Sequence, residues 1–181
     1  MSLKQIVNLV STRDKVNEDR FLHGLYKLSY LVCGKKSYLN FIQESNNHLF
    51  KNLYDDYFLD DVFELLFHVA MQARIYDETY DYFFETINTQ CGLVSHNQEK
   101  SEALLLRQAC NKILHCKIHY FLNETDDHLY LCGLQGSDLW EVNLDILAFV
   151  GACLVAIDKD KHPILENKLN RLKSLETLSK K

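Results

Sequence analysis

Leu104–Phe121, LLLRQACNKILHCKIHYF, is the stretch whose reading decides the fold. Wound as one helix at about 100° per residue, it places Arg107, Gln108, Asn111, Lys112, His115 and His119 within roughly 140° of one another. Leu106, Cys110, Ile113 and Leu114 fall on the other side. Arg107, Asn111, His115 and His119 run at i+4 steps, so on a helix their side chains stack along successive turns. A helix this rich in Leu, Ile and Cys belongs at the centre of a fold. Burying an Arg, an Asn and two His there costs energy unless they are paired or used. The seam is therefore the first candidate site.

The flanking sequence reads the same way. Residues 3–12 predict a short helix, Glu18–Cys33 a second with Gly34 as its stop, and Ser37 to about Tyr54 a third. Asp60 and Asp61 suit a helix N-terminus and open a largely apolar helix of some 27 residues, DVFELLFHVAMQARIYDETYDYFFETI. Cys91–Asn97, with Gly92, predicts a loop. The helical period breaks at Asp127–Asp145, DHLYLCGLQGSDLWEVNLD, which predicts two short strands about a Gly136-Ser137-Asp138 turn, a β-hairpin over about 128–146. Leu144–Ile157 returns to helix, and Pro163 opens a charged last helix over 163–181. One Pro and six Gly in 181 residues leave long helices uninterrupted. The expectation is a single all-α domain, residues 1–181, a bundle of helices with a small C-terminal hairpin.

Composition excludes several classes. Hydrophobic residues are 47% and charged residues 25%, as in a folded globular protein rather than a disordered one. A net charge of −5 argues against a broadly basic nucleic-acid surface, leaving Lys35 and Lys36 as a small local basic patch. The N-terminus MSLKQIVNLVSTRDK lacks the uninterrupted apolar region of a secretory signal. Ile146–Ile157 is about half the length of a membrane span. The expectation is a cytoplasmic protein with six reduced cysteines, none in a C-x-x-C pair, and no membrane partner.

Cys110-Asn111-Lys112-Ile113-Leu114-His115, set in a helical layout over about residues 60–157, resembles the HEPN superfamily of small helical bundles common in prokaryotic toxin and defence systems. The resemblance implies a HEPN-like helical bundle, metal-independent endoribonuclease chemistry and a homodimer that brings two motifs over an RNA strand. In that family an Arg followed by a polar residue precedes a His, with four to six residues between the two. Here Asn111 and His115 match, Cys110 stands where the Arg is expected, and Arg107 lies one turn earlier. RNA cleavage through its own 2′-hydroxyl needs a proton carrier near neutral pH, which suits His115. It also needs a fixed cation on the phosphate, which suits Arg107, with Asn111 orienting the pair. The Cα atoms of Arg107 and His115 would lie about 12 Å apart along one helix. The other reading is that Asn111 and His115 form hydrogen bonds inside the bundle or across a dimer contact.

Supporting residues follow from the neighbouring patterns. His119 continues the seam, and His115 with His119 could begin a metal site, but no third ligand follows by spacing, so neither metal nor cofactor is expected. Glu64, His68 and Gln72 form another i+4 stripe, and Arg74 can pair with Asp77 or Glu78. In a HEPN-like bundle a neighbouring helix lines the motif groove, so His68, Gln72 or Arg74 could face His115. The aromatics of Tyr54–Phe58 and Tyr76–Phe84 are interleaved with acids, which repel phosphate, so core packing or a protein interface is the better use for them. Two functions remain: an endoribonuclease acting on RNA, or a non-catalytic module for binding a protein partner or a second copy.

Overall fold

The computed structural model describes residues 3–45, 48–79, 83–97, 99–121 and 127–160. Two long helices, α1 (Leu3–Ser45) and α2 (His48–Thr79), come first, followed by a 3₁₀ turn at Phe83–Thr86. Strands β1 (Gln90–His96) and β2 (Glu102–Leu105), helix α3 (Leu106–Leu114), strands β3 (Ile118–Phe121), β4 (His128–Gln135) and β5 (Asp138–Asp145), and helix α4 (Ile146–Asp160) complete it. The strands form one antiparallel sheet in the order β2-β1-β5-β4-β3. This is an α+β fold, and it corrects the all-α HEPN-like bundle expected from the sequence.

Three local readings carry the correction. Leu104–Phe121 is not one helix: Leu104 and Leu105 close β2, α3 covers nine residues, and Ile118–Phe121 is a strand. The backbone leaves the helix at His115, and the N–H of Lys117 donates to the Cys132 carbonyl at 2.8 Å, so the chain joins β4 at once. Cys91–Asn97 is not a loop but a strand lying between β2 and β5. Its Gly92 (φ +149°) makes the register shift that reads as a breaker in sequence. Gly34 does not stop a helix, because α1 runs through it to Ser45. A mid-helix Gly costs only about 1 kcal/mol, which the burial of Phe21, Leu25, Leu28 and Val32 outweighs. The last helix expected over 163–181 lies outside the described residues.

The hairpin is present as β4 and β5, but it is the middle of the sheet rather than an appendage. Alternation along its strands sends Leu129, Leu131, Trp140, Val142 and Leu144 inward. They join α4 (Ile146, Phe149, Cys153), α3 (Leu106, Ala109, Cys110, Ile113) and the inner faces of α1 and α2 in one core. Gly133 is required by this packing: a Cβ there would sit 2.4 Å from the Trp140 ring and 2.9 Å from the His115 carbonyl. Asp145 caps α4, its Oδ1 accepting from the Ala148 N–H at 2.8 Å.

The opposite face of the sheet is uncovered by any described element. Leu93, Ile118, Tyr120 and Leu134 are exposed on it, and Tyr120 stacks on Tyr130 with ring centroids 4.7 Å apart. The outward side chains of β1, β3, β4 and β5 include no Lys or Arg, and their two carboxylates are engaged. Glu141 accepts from the Tyr130 hydroxyl, and Asp145 is the helix cap.

Candidate functional site

The sequence-predicted site does not assemble. Arg107, in the first turn of α3, points back to the end of α2: its Nε lies 3.7 Å from Asp77 Oδ2, and its Nη1 meets Glu85 of the 3₁₀ turn. Arg74 reaches the same Asp77 oxygen at 3.7 Å and holds Glu78 at 3.0 Å. Asp77 is fully buried, and its other oxygen accepts the Phe84 N–H at 2.7 Å. Two guanidiniums on one buried carboxylate tie α2, the 3₁₀ turn and α3 together. The pairing of Arg74 with Asp77 and Glu78 follows the i+3 and i+4 spacing of the sequence, whereas the convergence of Arg107 on them does not.

His115 stands apart from that clasp. It is the C-cap of α3, two turns beyond Arg107, and its side chain is exposed. Asn111 is exposed one turn before it. Cys110, at the position where the HEPN motif carries Arg, is fully buried beside Cys91 and Cys153. Burial pushes its thiol far above the usual range, with Cys91 adding to the effect, so it is a neutral packing group. His119 is on β3 rather than on the helix of His115. Its ring lies flat on Phe63, 3.7 Å between centroids, with Asp60 4.0 Å from Nε2. Burial lowers its pKa, partly offset by Asp60. His68 is exposed on α2 against only its neighbour Phe67, edge-on at 6.5 Å. The proton carrier, the cation and the orienting amide thus belong to three different surroundings.

Among the described residues no group of three or more His, Cys, Asp or Glu could hold a metal ion, and all six cysteines are unbridged. Among the described residues no helix is long and apolar enough to cross a membrane.

A concave feature lined by aromatic side chains lies elsewhere, between α1 and α2. Tyr26, Tyr30, Gly34 and Tyr38 follow one another at i+4 along α1; Leu49, Leu53, Tyr57 and Asp61 do so along α2. All but Gly34 are exposed, with Tyr30 at 71%, Tyr57 at 59% and Leu53 at 51%. The two stripes border a cavity of about 330 Å³, within the size range of ligand and docking pockets. At its base Lys35 is 3% exposed, its ammonium 3.6 Å from the centre of the Phe121 ring and 6.0 Å from that of Phe58. Lys35 is therefore a core residue rather than half of a surface basic patch. Phe50, Phe41, Tyr38, Tyr54, Phe58 and Phe121 form a continuous run of ring contacts, from 4.7 to 6.4 Å, along this wall. The richness of Tyr54–Phe58 signals such a surface in sequence. Its partner stripe on α1 does not, because Gly34 reads there as a break.

Comparison with protein-family models, with curated proteins and with solved structures finds no match for this chain.

Proposed function

We propose that this chain is a non-catalytic protein-interaction module that pairs with a second copy of itself through the uncovered face of its sheet. The observation that supports the reading is that face: Leu93 of β1, Ile118 and Tyr120 of β3 and Leu134 of β4 are exposed on it, with both carboxylates already hydrogen-bonded within the protomer. A chain of net charge −5 repels its copy most where its acids are exposed, so a self-contact favours a face without free charge. A two-fold contact also needs a self-complementary patch, and an apolar sheet face packs on its own image as two sheets do in a sandwich. Endoribonuclease action on RNA has less support, because Arg107 is engaged with Asp77 and Glu85, and His115 lies outside that cluster.

Light scattering or sedimentation at tens of micromolar tests the self-association. The expected result is a dimer mass for the wild type and a monomer mass for the double variant Leu93→Lys/Ile118→Lys. Both positions are exposed in the protomer, so the variant should still fold, with its melting temperature lowered only by the loss of the dimer contact. A wild-type monomer, or a dimer indifferent to the two lysines, overturns the proposal.

A further inference from the structure

We propose that the groove between α1 and α2 is a docking site for an amphipathic helix of a partner protein, apolar on the inserted face and basic along one edge. The groove is bordered by two i+4 stripes on two helices, the geometry into which the side-chain ridge of a third helix packs. The stripe from Leu49 to Asp61 spans about 18 Å of helix, room for three turns of a partner. Both walls are helices, whose backbone hydrogen bonds are satisfied internally, so strand addition is not available there. The notch at the centre comes from Gly34: the position of its missing Cβ has no atom within 4 Å, and the Tyr30, Leu53 and Tyr57 side chains stand around it. An apolar side chain of the partner fits that space.

Charge selects the partner's chemistry and its orientation. Residues 49–64 of α2 contain Asp55, Asp56, Asp60, Asp61 and Glu64 against one lysine, Lys51, and all five carboxylates are exposed. Between Tyr26 and Tyr38 α1 contains no carboxylate but does carry exposed Lys27 and Lys36. The exposed acids lie on α2, and α1 brings none between Tyr26 and Tyr38, so a helix whose lysines and arginines lie along one edge seats with that edge over α2.

Fluorescence anisotropy with a labelled model helix of leucine and lysine, about 18 residues long and basic on one edge, provides the test. A glutamate-for-lysine version is the control. The basic peptide should bind at least roughly tenfold more tightly than the acidic one. Gly34→Leu fills the notch from a position with open space and should weaken binding about tenfold without lowering the melting temperature. If Gly34→Leu disturbs the fold, Tyr57→Ala on the opposite bank provides the same reading. Asp56→Lys/Glu64→Lys should remove most of the peptide preference, and Leu93→Lys/Ile118→Lys should leave it unchanged. Equal binding of the two peptides, or binding indifferent to Gly34→Leu and Tyr57→Ala, overturns the inference. So does loss of a dimer mass in Gly34→Leu, which would make a second copy the occupant.

Discussion

The two ends of α2 put similar residue types to opposite use. At its C-terminal end Asp77 is fully buried, and Arg74, Arg107 and the Phe84 N–H converge on it from three elements. Toward its N-terminal end the acids Asp56, Asp60 and Glu64 face solvent beside exposed Leu53 and Tyr57. A buried charge persists only when neighbours neutralise it, so the clasp is a structural device whose ligands are already inside the protein. An exposed apolar stripe beside unburied charge lacks neighbours inside the protein, which is the usual mark of a contact site.

The largest effect that can break this comparison is at Asp77. Asp77→Ala removes the carboxylate shared by two part-buried guanidiniums and strips the Phe84 N–H of its acceptor. Loss of one partner from a buried ionic cluster costs about 3–5 kcal/mol, and chemical denaturation should show a loss of that size. Asp77→Asn keeps an acceptor for Phe84 and should lose less. A cost near zero would mean that the two arginines are not held by Asp77 and are open to other roles.

The clasp and the groove were unequally legible in the sequence. Arg74, Asp77 and Glu78 pair within one helix, so spacing alone shows them. Arg107 joins across 30 residues of chain, and no local pattern records that. The seam misled for a geometric reason. A spacing of four residues is close to one helical turn and is also two full strand repeats, so His115 and His119 keep an i+4 relation whether or not the helix continues. The helix ends at Leu114, before both of them. The β4–β5 hairpin was readable because the Gly136-Ser137-Asp138 turn separates two runs that alternate over seven residues a side. Strand β1 was not, because the bulge at Gly92 hides its period. The four-residue strands β2 and β3 offer too few repeats to stand out beside α3.

The groove end is sharpened by a variant expected to stabilise. Gly34 lies inside α1 with open space where a Cβ would project. Gly34→Ala should raise stability by about 0.5–1 kcal/mol, the helix-propensity difference, measurable as a higher denaturation midpoint. A fall instead would mean that the helix is strained at Gly34 and that the notch is a packing necessity.

His119, where α2 meets the edge strand, gives a smaller effect that depends on pH. Its pKa is lowered in the folded protein by burial against Phe63, with Asp60 pulling the other way. Below the ordinary histidine pKa of about 6.5 the unfolded chain therefore binds more protons than the folded one. This contribution to stability is present above that pH and is lost as pH falls toward the folded value. His119→Phe keeps the ring on Phe63 and removes the titration. The drop in melting temperature between pH 7.5 and 5.5 should be smaller in the variant than in the wild type; an equal or larger drop would place the titration elsewhere.

The smallest expected effect is at His115, where the two functional readings part. Its side chain is exposed at the end of α3, and the cap it provides is made by its backbone, whose N–H donates to the Asn111 carbonyl at 3.1 Å. An alanine there supplies the same backbone donor and opens no cavity, so His115→Ala should alter stability by no more than about 0.5 kcal/mol. Arg107→Ala, by contrast, removes one of the two cations at Asp77 and should be clearly destabilising. The asymmetry separates a structural arginine from a surface histidine, whereas catalytic partners would lose activity together. Mixed RNA incubated with wild type and both variants in EDTA completes the test. No cleavage above buffer is expected from any of the three. EDTA-resistant cleavage by the wild type that disappears in both variants would restore the endoribonuclease reading and assign to Arg107 a role that its contacts with Asp77 and Glu85 do not suggest.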